Sequence, residues 1–216
     1  MWSGGKDSAL ALDRARRAGL DVQTLLTFYD SASGRIRFHA TPIDLIREQA
    51  AATGVPSLVA VGTAWSEMDS ALQRELEGLR AGGCAGVVLG DIHLADVRAW
   101  YEDRVTGAGL EHVEPLWGEP SPALLADFVG SGGRAVVTCV DLDRLDESWL
   151  GRVVDPDFAR EIVTLDVDAC GENGEYHSFA FAGPAFRRSV DWTPGARRWE
   201  GRFAQLDLAS SPATGR

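Results

Sequence analysis

Lysine is all but missing from this chain: of its 21 basic residues Lys6 is the single lysine, and every other is arginine. Asparagine occurs once, as Asn173. The three cysteines, Cys84, Cys139 and Cys170, are widely spaced and form no C-x-x-C pair. That argues against a thiolate zinc or iron–sulfur framework and against dithiol exchange. They read instead as small apolar residues of a reducing compartment. No apolar run approaches the roughly 20 residues a membrane span requires, and the secretory pattern of charge followed by an apolar core is missing from the first residues. The cytoplasm is therefore the expected compartment, with no membrane partner. A net charge of -11 and a pI near 4.8 disfavour a broad nucleic-acid-binding face, because phosphate backbones are bound by basic surfaces. Arg187, Arg188, Arg197, Arg198 and Arg202 leave one local basic patch.

What is present is concentrated. Ser3-Gly4-Gly5-Lys6-Asp7-Ser8 packs turn-forming and hydroxyl residues directly ahead of a helical pattern, in which Leu10, Ala11, Ala15 and Ala18 recur at helical spacing and Gly19 signals a stop. Backbone N–H groups of such a loop can wrap an anion at the head of a helix. The spacing differs from that of a Walker-type loop, which needs four residues between its first glycine and Gly-Lys-Ser/Thr. Lysine is a compact point charge suited to phosphate. Among 21 basic positions, chance alone would seldom put the one lysine in this loop.

Helix and strand patterns alternate through more than half the chain. Residues 21–30 predict a strand, 43–54 a helix, 56–62 a buried strand, and 66–83 a helix opened by a serine cap and closed by glycines. A strand at 85–92, a helix at 94–109 and a strand at 111–117 follow. This order predicts a doubly wound parallel α/β sheet, with its ligand at the carboxyl ends of the strands, where Ser3–Ser8 and Gly90-Asp91-Ile92 would emerge. An apolar strand is expected ahead of Ser3 in such a sheet, yet Met1 and Trp2 alone stand there. Texture changes at the Pro- and Gly-rich residues 118–122. The expected division is a phosphate-loop domain over 1–118, a smaller α+β substrate domain over 119–203, and a loose tail over 204–216.

The second motif is "CGENGEYHSFAF", residues 170–181. Gly171 and Gly174 argue against a helix, so a tight turn could bring Glu172 and Glu175 to one side. An ordinary solvated hairpin accounts for the same pattern. His39 and His177 likewise read either as ligand contacts or as packed, hydrogen-bonded histidines.

Taken in order, the Ser3–Ser8 loop, "FHATPIDLIREQAAATGVP" around His39, "GDI" at 90–92, "PLW" at 115–117 and the 170–186 segment resemble the diphthine–ammonia ligase family of the PP-loop ATP pyrophosphatases. The arginine bias suggests a GC-rich bacterial member. The resemblance implies an adenine-nucleotide alpha-hydrolase (HUP-like) α/β domain with a smaller C-terminal domain. It also implies a reaction in which ATP adenylates a carboxylate, pyrophosphate leaves, and ammonia displaces AMP. On that basis Ser3, Gly4, Gly5, Lys6, Asp7, Ser8 and His39 are expected to bind ATP, with Mg²⁺ on Asp7 and Asp91. Catalysis is expected from Lys6, Asp91, Glu172 and Glu175, and substrate contacts from Gly90, Asn173, Tyr176 and His177. The glutamates would receive ammonium and take its proton, or orient the substrate. Expected partners are a small or protein-borne carboxylate and ammonia, and a homo-oligomer is compatible with the sequence. Sulfur transfer to RNA and a non-catalytic ATP-binding sensor are the competing readings.

Overall fold

The computed structural model describes residues 1–37 and 39–211. In chain order the elements are α1 (Lys6–Arg17), β1 (Thr24–Asp30), β2 (Arg35–Ile36), α2 (Ile43–Thr53), β3 (Ser57–Thr63), α3 (Met68–Ala81), β4 (Gly86–Val88), α4 (Ala95–Gly107) and β5 (Glu111–Val113). The second half adds α5 (Ser121–Gly130), β6 (Arg134–Asp141), β7 (Val153–Val154), α6 (Pro156–Ile162), β8 (Tyr176–Ala182), β9 (Trp192–Glu200) and β10 (Phe203–Ser210).

The helices form where the apolar spacing places them. In α1, Leu10, Ala11 and Ala15 are buried while Arg17 faces solvent, and Gly19 at φ 83° ends the turn. In α2, Ile43, Ile46 and Ala50 are buried, and Gly54 closes the helix in a left-handed conformation. The serine cap expected for α3 is not used: Ser66 lies inside a tight turn over Trp65–Glu67, and no side chain caps the helix.

The parallel part consists of two ladders. β1 and β3 pair in parallel from Thr24↔Ser57 to Asp30↔Thr63, and β4 pairs with β5 from Gly86↔Glu111 to Val88↔Val113. Between the ladders lies the start of the chain: Trp2 N–H donates to Leu26 O of β1 at 2.8 Å, and the Met1 amino group donates to Val88 O of β4 at 2.6 Å. Met1 and Trp2 thus bond to both neighbouring ladders, at the place where a strand ahead of Ser3 is expected. The strand predicted over 111–117 stops at Val113, because Glu114–Trp117 turn back, with Trp117 N–H on Glu114 O.

The C-terminal half is a five-stranded antiparallel sheet in the order β7-β6-β10-β9, with β8 also on β6. Cys139 pairs with His177 of β8 and with Gln205 of β10, so these strands flank β6 on opposite edges. Here the expected tail is corrected. Ala204, Leu206 and Leu208 alternate inward, and that period of two buries one face of β10 against the sheet; residues 212–216 lie outside the described residues. One apolar core runs through both halves, joining Trp2, Leu10 and Ile46 to Phe128, Val136 and Phe179. A smaller one under α3 and α4 holds Leu72, Leu76 and Val105. Among the described residues no helix is long and apolar enough to cross a membrane.

Candidate functional site

The glycine loop is stitched into both halves of the molecule. Gly4 sits at φ 81°, and a Cβ there would stand 2.5 Å from Ile46 Cδ1 and 2.8 Å from Gln49 Oε1. Only glycine fits such a position without displacing its neighbours. Gln49, fully buried, accepts from Trp2 Nε1 at 2.8 Å and donates through Nε2 to Gly4 O at 2.8 Å and Ala180 O at 2.6 Å. Ala180 N–H of β8 also donates to Gly4 O, at 2.8 Å. Ser3 Oγ accepts from Gly5 N–H at 3.2 Å, Ser8 Oγ donates to Gly5 O at 2.9 Å, and Lys6 N–H donates to Ser178 Oγ at 3.3 Å. α1 then begins with no side-chain cap, which leaves its positive dipole end toward the cleft that Ser3, Lys6, Asp7 and Ser8 line.

Lys6 is almost wholly buried. Its ammonium donates to Asp7 Oδ2 at 2.9 Å and to the Cys170 carbonyl, and sits 4.9 Å from the centre of the Tyr176 ring. Burial alone would lower its pKa, but Asp7 and the neighbouring Tyr176 and Cys170 outweigh that and hold it well above the usual lysine value. His39 Nδ1 lies 3.0 Å from Ser178 O, with its ring centroid 4.9 Å from that of His177. Burial pushes both imidazoles down, His177 the further of the two.

Facing the loop is an acidic wall. Gly90 lies so close to α1 that a Cβ would stand 3.1 Å from the Asp7 backbone, which brings Asp91 beside Asp7. Glu172 Oε1 accepts from Ile92 N–H at 3.0 Å. Burial raises the carboxyls of Asp91 and Glu172, and the charge of Asp7 raises both further. The cleft between these walls has a volume of about 870 Å³, and Leu26, Phe28, Leu89 and Trp100 give it an apolar side.

Ser3, Lys6, Asp7, Ser8, His39, Gly90, Asp91, Glu172, Tyr176 and His177 all line this cleft. Gly4 and Gly5 shape the loop from behind. Two expected site residues lie elsewhere. Glu175 is buried and turned inward, where Oε1 accepts from Asp168 N–H at 3.0 Å and Oε2 from Asn173 N–H at 3.1 Å. A buried carboxylate must find donors, and the turn's own backbone supplies them, so Glu175 organises the turn rather than facing a ligand. Asn173 Nδ2 donates to the same Glu175 Oε1 at 3.3 Å, and the residue is exposed and is not among those that line the cleft. Tyr176 lends the cleft its ring, while its hydroxyl donates to Ala169 O. The cysteines carry free thiols, with Cys139 and Cys170 buried and Cys84 half-buried.

Asp168 is a residue the sequence reading missed. Oδ1 accepts from Cys170 N–H at 2.8 Å and Glu172 N–H at 3.2 Å, and Oδ2 accepts from Ser121 Oγ at 2.6 Å and lies 3.1 Å from His93 Nε2. Burial would raise its carboxyl, but the Ser121 hydroxyl and the other donors outweigh that and hold it below the usual range. It thereby ties the turn to the loop after β4 and to the start of α5. Its place four residues ahead of Glu172 was the available signal.

The arrangement defines a mixed α/β protein whose N-terminal half is consistent with a HUP-like fold and whose antiparallel C-terminal half completes the cleft. Residues 1–112 match the family described as diphthamide synthase N-terminal domain, and residues 121–211 match the diphthamide synthase C-terminal domain. The chain belongs to the diphthamide synthase family. A comparison with curated proteins gives no match.

Proposed function

We propose that this protein is an ATP-dependent amide ligase of the diphthine–ammonia ligase kind. A carboxylate oxygen of the acceptor attacks the α-phosphorus of ATP and the bond to pyrophosphate breaks. Ammonia then attacks the acyl carbon and AMP leaves with the electron pair of the C–O bond. The observation that carries this reading is the shared cleft, which sets the Ser3–Ser8 loop of one half opposite Glu172 of the other. A phosphate loop with no further chemistry would not need that carboxylate.

The chain's own groups suit each step. The start of α1 and the Ser3 and Ser8 hydroxyls, which line the cleft, suit the charge that grows on the departing pyrophosphate. Lys6 adds a fixed positive charge. The apolar side formed by Leu26, Phe28, Leu89 and Trp100 suits a planar base. Asp7 and Asp91 are hard oxygen donors of the kind Mg²⁺ takes alongside phosphate oxygens. Among the described residues no three His, Cys, Asp or Glu side chains form a metal centre by themselves, so the ion would share its ligands with the nucleotide; it would supply charge neutralisation there. Glu172, raised by burial yet held by Ile92 N–H, attracts ammonium and accepts the proton released as the C–N bond forms. The acceptor is a carboxylate, free or borne by a protein.

The test is incubation with ATP, Mg²⁺, ammonium and a pool of cell metabolites and proteins. AMP and pyrophosphate should accumulate with a carboxyl-to-amide mass shift in one component. Release of ADP and phosphate instead would remove the adenylation step.

A further inference from the structure

We propose that Arg37 is the second cation of the phosphate site, poised to take the β- and γ-phosphates of the nucleotide; this rests on the ATP reading above. The side chains lining the cleft include two cations, Lys6 and Arg37, against the five carboxylates Asp7, Asp69, Asp91, Asp96 and Glu172. Lys6 is already committed, since its ammonium is bonded to Asp7 and to the Cys170 carbonyl and buried over Tyr176. Asp69 has its own partner in Arg104. A triphosphate entering this cleft therefore meets a surplus of negative charge, and of the two side-chain cations described there Arg37 has capacity to spare.

Arg37 has that capacity. A guanidinium carries five N–H donors. Among the described residues Arg37 makes one hydrogen bond, from Nη2 to Thr63 O at 3.1 Å, and its Nε is buried without a partner. Its ion pair with Asp30 is long, at 3.6 Å. The guanidinium carbon lies over the face of Trp65, 5.0 Å from the ring centre, and that residue is 63% exposed and lines the cleft. Stacking on an aromatic face leaves the in-plane donors of a guanidinium available. The position is also right: His39, two residues on, packs so closely on the glycine loop that a Cβ at Gly5 would stand 2.8 Å from its Cε1. Arg37 thus lines the same cleft as the phosphate loop, two residues ahead of the histidine that packs on it.

Calorimetric titration of wild type, Arg37→Gln and Arg37→Lys with ATP, pyrophosphate and AMP, magnesium present throughout, tests this. For Arg37→Gln the affinities for ATP and pyrophosphate should fall about 10- to 100-fold, the size expected for charge-assisted bonds to phosphate, while AMP binding stays within about twofold and Arg37→Lys recovers part of the loss. Unchanged ATP and pyrophosphate binding overturns the assignment. An equal loss for all three ligands also overturns it, because Arg37 would then merely tie the chain after β2 to the ends of β1 and β3. If wild type binds ATP and Arg37→Gln binds it equally, the Arg37 assignment alone falls. If wild type binds neither ATP nor pyrophosphate, the nucleotide reading falls with it; pyrophosphate binding that depends on Arg37 without ATP binding sinks the nucleotide reading and leaves Arg37 in place.

Discussion

Glu172 of the 170–175 turn accepts the backbone N–H of Ile92 at 3.0 Å, across 80 positions of sequence. The bond fixes a carboxylate of the C-terminal half beside the end of β4, where Asp91 and Asp7 converge. It also separates the roles of the two glutamates, since Glu175 spends both oxygens on donors inside its own turn.

Glutamine should therefore act differently at the two positions. Glu172→Gln keeps an oxygen for Ile92 N–H but loses basicity, so amide formation should fall by about 10² to 10⁴ while ATP affinity holds. In Glu175→Gln one acceptor oxygen becomes a donor facing donors, at a cost of about 1–3 kcal/mol, seen as a Tm lower by about 3–10 °C. Calorimetry beside a turnover assay on both variants checks this. Equal Tm losses would mean both residues simply hold the turn, and unchanged turnover in Glu172→Gln would remove it from the chemistry.

The raised carboxyl of Glu172 has a pH signature. It accepts ammonium and a proton only when ionised, so the acid limb of activity should have its midpoint above the usual carboxylate range. A carboxyl raised by folding favours the protonated form in the folded state. Its contribution to stability falls as pH rises from the unfolded pKa through the folded one. Glu172→Gln should then match wild type in Tm near pH 4 and exceed it near pH 7. Thermal melts across that range measure the difference, and a gap that narrows with rising pH contradicts the burial account.

Lys6→Arg keeps the charge but not the shape. The Lys6 pocket between Asp7, the Cys170 carbonyl and the Tyr176 ring is closed to solvent, and a planar guanidinium does not fit the place of a compact ammonium. Turnover should drop more than about tenfold. A fully active variant would show that this ammonium is dispensable as a point donor.

Gln49 tests the stitching of the loop. Gln49→Leu removes its bonds to Trp2 Nε1, Gly4 O and Ala180 O and leaves buried polar groups short of partners. A cost of about 2–4 kcal/mol is expected, or about 5–15 °C in Tm, together with weaker ATP binding because Gly4 loses its tether. Unaltered nucleotide affinity at the lowered Tm would show that the loop holds its shape without Gln49.

Local chemistry made much of the molecule legible in its sequence. Apolar spacing gave the positions of α1, α2 and the parallel strands, glycine and serine marked the loop, and "GDI" marked the end of β4. Composition pointed at Lys6, which is buried in the lining of the cleft. Composition pointed at Asn173 too, and there the side chain bonds to Glu175 of its own turn. The 204–210 segment, read as a tail, alternates Ala204, Leu206 and Leu208, and pairing with β6 and β9 makes that short pattern a strand. Isolated strands of this length have no stability of their own.

The sequence alone determined the period of each element and the residue types that can meet phosphate, because both depend on neighbours a few positions apart. Tertiary structure decided which carboxylate faces the cleft. Glu172 and Glu175 are chemically identical and three residues apart, and what separates them is the distant Ile92 N–H on one side and the turn's own amides on the other. It also decided that Asp168, Gln49 and Arg37 matter, since their partners lie at Ser121 and His93, at Trp2 and Ala180, and at Thr63 and Trp65. Hydrogen bonds and desolvation act over a few ångströms of space, and only the folded chain brings those groups within reach.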